Sequence, residues 1–253
     1  MYFPFLPSLV AALVTVALAL GAIVARALTP AAGSVAAAFG IVIVLTAGYG
    51  FLALLILFVV GSVLATRFRI DEKRRQQVQE GTAGERGVSN VLAHILIPTG
   101  LAVGVVLFPA DAPTVAVLFA SALAFGAADT FASEMGVLAG AARSILSFRP
   151  VRPGTNGGVS AVGEGWALLG AVTTGVVGAL LFQLFGSPSP AAPFLVVVVT
   201  IAGFLGCQVD SVLGETLENR GYLTKGSTNF LGMLAAVAIA AAAVGIVGGR
   251  FGL

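Results

Sequence analysis

Charged side chains are scarce in this sequence. They make up 9% of the 253 residues, whereas hydrophobic residues make up 58%, and the mean hydropathy is +1.05. Soluble domains carry about 25% charged residues and leave much of their surface in water. The composition therefore excludes a soluble protein, and apolar runs of about 20 residues predict an all-α polytopic membrane protein.

Cysteine and histidine are almost absent. The single Cys207 lies in an apolar run, which excludes a disulfide framework and a paired-cysteine metal site. The single His94 would have to be the base of any Ser/His/Asp set, and no such set is apparent in the sequence. The first apolar run lacks a basic segment before it, so we interpret it as a membrane span and not as a cleavable signal.

Eight apolar runs have the length of a membrane helix, and we predict one transmembrane domain over 1–253. The second and third runs are short and separated only by AGYG (47–50), so one broken hairpin remains an alternative there. Eight spans put both termini outside, whereas merging two early spans would put the N-terminus inside. The predicted spans are 7–25, 31–47, 50–66, 91–108, 114–139, 163–185, 193–214 and 230–248.

Lysine and arginine concentrate in alternate loops. They occur in 67–90, 140–162 and 215–229, while 109–113 and 186–193 contain none. The positive-inside rule therefore predicts a multi-pass protein of the cell membrane with these three basic loops in the cytoplasm. We expect 67–90 to form a short interfacial helix followed by a glycine-containing turn, and 140–162 to be a glycine-rich loop.

Two acidic residues lie inside apolar runs, where acids are costly and mark functional sites. Asp129 begins D-T-x-x-S-E and Asp210 begins D-S-x-x-G-E, 81 residues later. This internal repeat relates spans 5–6 to spans 7–8. Each Asp comes about sixteen residues after its span begins, roughly 24 Å into a core of about 30 Å. Both carboxylates should lie just below the cytoplasmic face.

We interpret this duplicated acid as a divalent-cation site, because Mg²⁺ favours one or two carboxylates together with phosphate oxygens and water. Asp129 and Asp210 are the expected ligands. Glu134 and Glu215, the acids that end the two motifs, either complete the ligand set or pair with arginines outside it. The alternative is that the two Asp side chains only hold helices together by hydrogen bonds.

Each basic loop ends in a hydroxyl residue followed by asparagine. The pairs are Ser89-Asn90, Thr155-Asn156 and Thr228-Asn229. They either cap the helices that follow or bring three helix N-termini to one anion, where free N–H groups and the helix dipole suit phosphate. Both interpretations remain open from sequence.

The segment VRPGTNGGVS (151–160) combines an arginine with several glycines. Glycine-rich turns let backbone amides form an anion-binding nest, to which an adjacent Arg152 adds charge-assisted bonds. It is not a Walker A loop, because no Gly-Lys-Ser/Thr follows. The predicted phosphate- or nucleotide-binding residues are Arg86, Asn90, Gly154, Thr155, Asn156, Gly157, Gly158, Ser160 and Asn229.

The motifs GERGVSNVLAH, ADTFASEMG, VRPGTNGGVS, QVDSVLGETLEN and TNFLG together resemble those of the integral membrane family that includes plant phytyl-phosphate kinase and animal transmembrane protein 19. The resemblance extends over most of the chain. It implies a kinase that converts an isoprenoid (prenyl- or phytyl-type) monophosphate to the diphosphate, with a nucleoside triphosphate, CTP or ATP, as donor. Glu215 and Glu218 depart from the family pattern, where a small residue and Gln are expected.

The roles follow as hypotheses. Asp129, Asp210 and Arg152 would be catalytic, with Mg²⁺ on the carboxylates and membrane lipids around the helices. Phosphoryl transfer needs mainly positioning and charge neutralisation, which suits a site without a catalytic histidine. The alternatives are a transporter of an ion or small anion, and a nucleotide-dependent lipid headgroup transferase. No feature indicates nucleic-acid binding, and the oligomeric state stays open.

Overall fold

The computed structural model describes residues 5–79 and 84–247, with side chains from Leu9 onward. Nine α-helices lie within these ranges. Their bounds are α1 Phe5–Val24, α2 Pro30–Ala47, α3 Tyr49–Arg67, α4 Ile70–Gln76, α5 Val88–Leu107, α6 Ala112–Gly136, α7 Ala161–Leu184, α8 Ala192–Leu213 and α9 Lys225–Val247.

Eight of these helices are apolar, and the protein is an all-α polytopic membrane protein as predicted. Seven of them are long and apolar enough to cross a membrane, and α1 is a further apolar helix, counted over Leu9–Val24. Predicted and observed bounds agree within three residues, except that α9 begins at Lys225 and not at 230. The predicted end of the last span, 248, lies outside the described residues. A short helix, α4, lies within 67–90, where a short helix was expected.

The second and third spans form a tight helical hairpin. Gly48 alone separates α2 from α3, with φ +91°, a backbone conformation that favours glycine. At the other end of the hairpin, the Arg67 guanidinium donates to the carbonyl of Ala25, so the start of α2 and the end of α3 lie together. The alternative of one merged span is therefore excluded.

One side of the helix bundle carries the polar connections. We call it the polar-loop side: the end at which 25–29, 68–87, 137–160 and 219–224 join the helices. Contacts between connections hold it together, as where Arg86 N donates to Ala27 O at 3.0 Å. Every Lys and Arg in the described ranges lies at this side.

Helix α6 is the centre of the bundle and packs against α3, α5, α7, α8 and α9. Phe119, Leu123 and Phe125 on it are fully buried. Glycines allow close approach of backbones: a Cβ at Gly170 of α7 or at Gly203 of α8 would lie 2.9 or 2.8 Å from a backbone carbon of α6. This close packing fixes the positions of the polar residues at the end of α6.

Two local structures were not predicted. The glycine-rich segment forms a three-stranded antiparallel sheet in the order β2-β1-β3, with β1 Ala142–Ser144, β2 Pro150–Val151 and β3 Gly158–Val159. Helix α8 continues as a π-helix over Gly214–Glu218. π-Helical turns are rare in proteins, and those that do occur are often located at functional sites. Segment 140–162 is therefore a structured module on the polar-loop side and not a plain loop.

Candidate functional site

A polar cavity of about 190 Å³ opens at the polar-loop side, between the ends of α6 and α8, the starts of α7 and α9, and the small sheet. We call it the aspartate cavity. One enclosed water corresponds to roughly 10–15 Å³ of such space, so it has room for about a dozen non-hydrogen atoms. Its polar lining residues are Asp129, Ser133, Glu134, Thr155, Asn156, Ser160, Glu164, Asp210, Ser211, Glu218, Lys225 and Asn229.

Asp129 and Asp210 both line this cavity, although 81 residues separate them in the chain. They lie seventeen and eighteen residues into α6 and α8, about 26 Å along each helix. Asp210 Oδ1 is buried and has no hydrogen-bond partner among the described residues. A buried carboxylate oxygen without a donor is costly, so this oxygen is suited to accept a ligand.

Close packing places the Asp210 side chain. On α9, a Cβ at Gly232 would lie 3.0 Å from Asp210 Cβ and 2.6 Å from the ring of Phe125 on α6. Only a glycine lets α9 come this near. The spacing of three helices, and hence the position of the carboxylate, depends on that residue.

Two further carboxylates and a lysine line the cavity, and the sequence analysis did not assign them to a site. Glu164 in the first turn of α7 accepts a hydrogen bond from Gln208 Nε2 at 2.8 Å. Glu218, in the π-helix, accepts one from Asn156 Nδ2 at 2.9 Å. Lys225 begins α9. Glu164 closely follows the glycine-rich segment, Glu218 belongs to the QVDSVLGETLEN motif and Lys225 directly precedes GSTN, and these positions were the signal that could have identified them.

The two motif-ending acids have protein partners that are not arginines. Glu134 Oε2 lies 2.7 Å from Lys73 Nζ, and the two side chains are 7% and 0% exposed. Glu215 accepts from Ser144 Oγ at 2.6 Å and from Leu146 N at 3.3 Å. Glu134 thus holds α4 to α6, and Glu215 holds β1 to the π-helix. Glu215 does not line the aspartate cavity.

The glycine-rich segment lies over the cavity through two tight turns. Thr155 N donates to Arg152 O at 3.1 Å, and Gly158 N donates to Thr155 O at 2.8 Å. Gly154 and Gly157 have φ of +84° and +77°. A Cβ at Gly157 would lie 2.9 Å from Glu215 N and from Ser211 O, so the turn contacts the end of α8 directly. Residues 153–160 all line the cavity.

Three predicted phosphate-binding residues lie elsewhere. The side chain of Arg152 is exposed, and it does not line the cavity although its neighbour Pro153 does. Arg86 and Asn90 line a second, separate cavity between α2, α3 and α5. Of the three asparagines expected at one anion, only Asn156 and Asn229 share the aspartate cavity.

None of the hydroxyl–asparagine pairs caps a helix. Ser160 caps α7, accepting from Gly163 N at 3.0 Å, and Thr155-Asn156 lies before it in the sheet turns. Ser89-Asn90 and Thr228-Asn229 lie inside the first turns of α5 and α9. Before Thr228, Thr224 Oγ1 accepts from Ser227 N at 3.3 Å, which is the capping bond. Two of the pairs therefore lie in first turns and the third in a sheet turn, and other residues cap the starts of α7 and α9.

The donor set at the aspartate cavity fits Mg²⁺ bound together with a phosphate. Among the described residues, no three His, Cys, Asp or Glu side chains stand together as a complete metal-binding group. Mg²⁺ does not require one, since one or two carboxylates with water and substrate phosphates suffice. Asp210, with its unpaired oxygen, and Asp129 on the same cavity wall would hold the ion.

Comparison with known proteins identifies the family. The family model described as integral membrane protein DUF92 matches residues 13–239. This chain belongs to the DUF92 family. The predicted family is thereby confirmed, and the DUF92 match includes every residue of both cavities. No solved structure matches the chain.

Three curated proteins from different organisms are similar to this chain over most of its length. Protein PGR of Arabidopsis thaliana is 32% identical over 211 residues, 75% of this chain and 72% of the relative. An uncharacterized membrane protein of Methanocaldococcus jannaschii is 30% identical over 193 residues, 76% and 75% of the two chains. One of Synechocystis is 30% identical over 250 residues, 95% and 93% of the two chains.

Proposed function

We propose that this protein is a membrane-embedded isoprenoid phosphate kinase, which transfers a phosphoryl group from a nucleoside triphosphate to a prenyl- or phytyl-type monophosphate. The observation that carries the proposal is the aspartate cavity. Two carboxylates from the repeated motif share it with a glycine-rich turn, at the end of a membrane helix bundle. The motif resemblance to the family of phytyl-phosphate kinase supports the same chemistry.

In the proposed reaction, an oxygen of the lipid monophosphate attacks the terminal phosphorus of the donor. The bond from that phosphorus to the bridging oxygen breaks, and a nucleoside diphosphate leaves with the electron pair. A phosphate monoester is already anionic at neutral pH, so no strong base is required. Catalysis then rests on positioning and on neutralising charge.

The residues in and around the cavity would have different roles in this reaction. Residues 153–160 and Asn229 would contact the donor phosphates, and the exposed Arg152 would attract the nucleotide at the mouth. Bound Mg²⁺, held by Asp129 and Asp210, would neutralise charge on the phosphate oxygens. Glu164 and Glu218 would hold Gln208 and Asn156 in place through the hydrogen bonds they accept.

The charge distribution supports a cytoplasmic position for this site. Every described Lys and Arg lies at the polar-loop side, and such a bias marks the cytoplasmic side of a membrane protein. We therefore place the protein in the cell membrane with the aspartate cavity facing the cytoplasm, where CTP and ATP are present. A transporter site would be expected near the midplane, whereas this cavity is at one end of the helices.

The test is a product analysis with the purified, full-length protein. It is incubated with terminally labelled CTP or ATP, Mg²⁺ and a panel of prenyl monophosphates of different length. The proposal expects label in a lipid diphosphate, no product after chelation of Mg²⁺, and an unlabelled nucleoside diphosphate as the second product. A headgroup transferase would instead leave the lipid unlabelled here, and would transfer a headgroup with release of a nucleoside monophosphate only when a nucleotide-activated headgroup is supplied. No transfer to any acceptor, together with solute uptake by proteoliposomes, would favour a transporter.

A further inference from the structure

The aspartate cavity is large enough for the reacting phosphates and for little else. Its volume of about 190 Å³ holds about a dozen non-hydrogen atoms at roughly 10–15 Å³ for each. Phosphoryl transfer brings together the two terminal phosphates of the donor and the phosphate of the acceptor, which have about fourteen such atoms. The isoprenoid chain of the acceptor therefore has to lie outside the cavity.

Such a chain has two ways to leave the cavity toward the bilayer. Apolar groups are driven out of water, so the chain is expected to pass between two helices and not through the mouth on the polar-loop side. The cavity walls are α6, α7, α8 and α9, and the boundaries of α6 with α7 and α9 are covered by α3 and α5. What remains is the boundary between α7 and α8, which we call the α7–α8 seam, and the equivalent α8–α9 seam.

The α8–α9 seam is closed beside Asp210. A Cβ at Gly206 of α8 would lie 3.0 Å from Gly232 O of α9, and a Cβ at Gly232 would lie 3.0 Å from Asp210 Cβ. The two backbones are thus in van der Waals contact at the level of the carboxylate. Helices this close leave no space between them for a hydrocarbon chain.

The α7–α8 seam is bridged at this level by two long side chains. Glu164 of α7 lines the cavity and accepts a hydrogen bond from Gln208 Nε2 of α8 at 2.8 Å, whereas Gln208 does not line the cavity. The pair therefore separates the cavity from the outside of the bundle. A close backbone approach of α7 to α8 lies roughly 16 Å farther along α7, where a Cβ at Gly175 would be 3.1 Å from Val196 O.

Exposed leucines flank the outer side of the α7–α8 seam one helical turn into the membrane. Leu168 follows Glu164 by four residues and Leu205 precedes Gln208 by three, so each lies on the same face of its helix as the bridging side chain. The two leucines are 47% and 42% exposed. The inner side of the seam is filled by buried small residues such as Ala167. The outer side therefore offers an apolar path from the Glu164–Gln208 pair into the bilayer.

We propose that the isoprenoid chain of the acceptor leaves the aspartate cavity through the α7–α8 seam and lies against Leu168 and Leu205, while its phosphate stays in the cavity. The Glu164–Gln208 hydrogen bond closes this exit in the absence of lipid and breaks to admit the chain. That the bound lipid is a phosphoryl acceptor rests on the proposed function. The route applies to any lipid monophosphate whose phosphate enters this cavity.

The kinetic test uses the purified full-length protein with Mg²⁺, CTP or ATP, and geranylgeranyl monophosphate. Leu168→Trp places a large ring in the path of the chain and should raise the KM for the lipid about tenfold, the effect of losing roughly two buried methylene contacts. Its kcat and its KM for the nucleotide should stay close to those of wild type, because the cavity itself is unchanged. The matched control is Leu234→Trp on α9, which changes an exposed leucine at a similar depth and should leave all three constants unchanged.

Photolabelling tests the same route without nucleotide and without turnover. Geranylgeranyl monophosphate carries a diazirine on its second isoprene unit, and the labelling that counts is removed by excess unlabelled geranylgeranyl monophosphate but not by geranylgeraniol. We expect this competed labelling on α7 near Leu168 and on α8 near Leu205, and Leu168→Trp should reduce it. If Leu168→Trp does not fold, Leu205→Trp blocks the other side of the seam and gives the same test.

Two results would overturn the inference: no competed labelling on α7 or α8, or competed labelling and a lipid KM in the folded tryptophan variants equal to those of wild type. Competed labelling at the α7–α8 seam without a lipid diphosphate from any donor would refute the proposed function alone. Formation of the diphosphate together with competed labelling confined to other helices would refute only this inference.

Discussion

The buried ion pair between Lys73 and Glu134 is predicted to hold the α4 segment against the aspartate cavity. Lys73 Nζ donates to Ala65 O at 2.8 Å, to Thr66 O at 3.2 Å and to Glu134 Oε2 at 2.7 Å. Five residues after Lys73, Val78 lines the cavity, and a Cβ at Gly154 would be 3.2 Å from its side chain. A substitution at Lys73 should therefore also displace residues that line the aspartate cavity.

Replacing Lys73 by Met leaves the Glu134 carboxylate buried without its cation. Breaking a buried pair in this way costs about 3–5 kcal/mol, which corresponds to roughly a 150- to 5000-fold increase in the population of a detached α4. Glu134→Gln should cost less, because the amide oxygen still accepts from the ammonium group. Lys73→Met with Glu134→Gln should be less damaging than Lys73→Met alone, since no unpaired charge remains.

Trypsin provides the assay, because detachment of α4 exposes the bonds after Arg74 and Arg75. When opening is fast relative to cleavage, the cleavage rate follows the population of the open form. We expect cleavage after these two arginines to rise at least a hundredfold in Lys73→Met. Asp71→Asn is the matched control, because it removes an exposed contact of 3.5 Å to Arg74 in the same helix, and its rate should stay within threefold of wild type. A cleavage rate within threefold of wild type in Lys73→Met would refute the reasoning.

Two glycine substitutions test how the site is held. Gly157 has a φ of +77°, and a Cβ there would lie 2.9 Å from the end of α8, so Gly157→Ala should lower the free energy of unfolding and raise the KM for the nucleotide. Gly140 has a φ of +72° but no atom within 4 Å of such a Cβ, so Gly140→Ala should lower the free energy of unfolding without changing the KM. Thermal unfolding measures the stability, and a titration of activity with nucleotide measures the KM. Equal KM values for Gly157→Ala and Gly140→Ala would contradict the prediction. Gly232→Ala should lower kcat at least tenfold, because the added methyl group displaces Asp210. Gly245→Ala in the same helix has open space around the added methyl group and should leave kcat unchanged. Full activity of Gly232→Ala would contradict the argument that the position of Asp210 depends on this glycine.

The sequence was sufficient to predict the apolar helices and their bounds. Runs of about 20 apolar residues are set by bilayer thickness, so helix bounds were within three residues except at α9. There the polar KGSTN segment precedes the apolar run, and a capping bond at Thr224 starts the helix earlier. The shared position of Asp129 and Asp210 followed from the repeat, because equivalent residues in repeated spans reach the same depth.

Pairings between distant segments were not predictable from the sequence. Nothing in a run of arginines and a lysine distinguishes Lys73 as the buried partner of Glu134, since that depends on how α4 folds back onto α6. The sheet over 142–159 has strands of two or three residues, too short to show a period of two. The separation of Arg86 and Asn90 from the other predicted anion-binding residues depends on the packing of α2, α3 and α5. The sequences of these uniformly apolar helices do not show how they pack.

A double-mutant cycle on Asp129 and Asp210 tests the central claim, that both carboxylates act on the same phosphates in one cavity. Lipid diphosphate formation is measured for wild type, Asp129→Asn, Asp210→Asn and the double variant, with Asp111→Asn on the opposite side as control. Each single change should lower kcat about 100- to 1000-fold. The effects of residues that act as a unit do not multiply. The kcat of the double variant should therefore be within about threefold of that of the less active single variant, and the control should be fully active. Retention of more than a tenth of the activity in either single variant, or multiplication of the two losses in the double variant, would contradict the account.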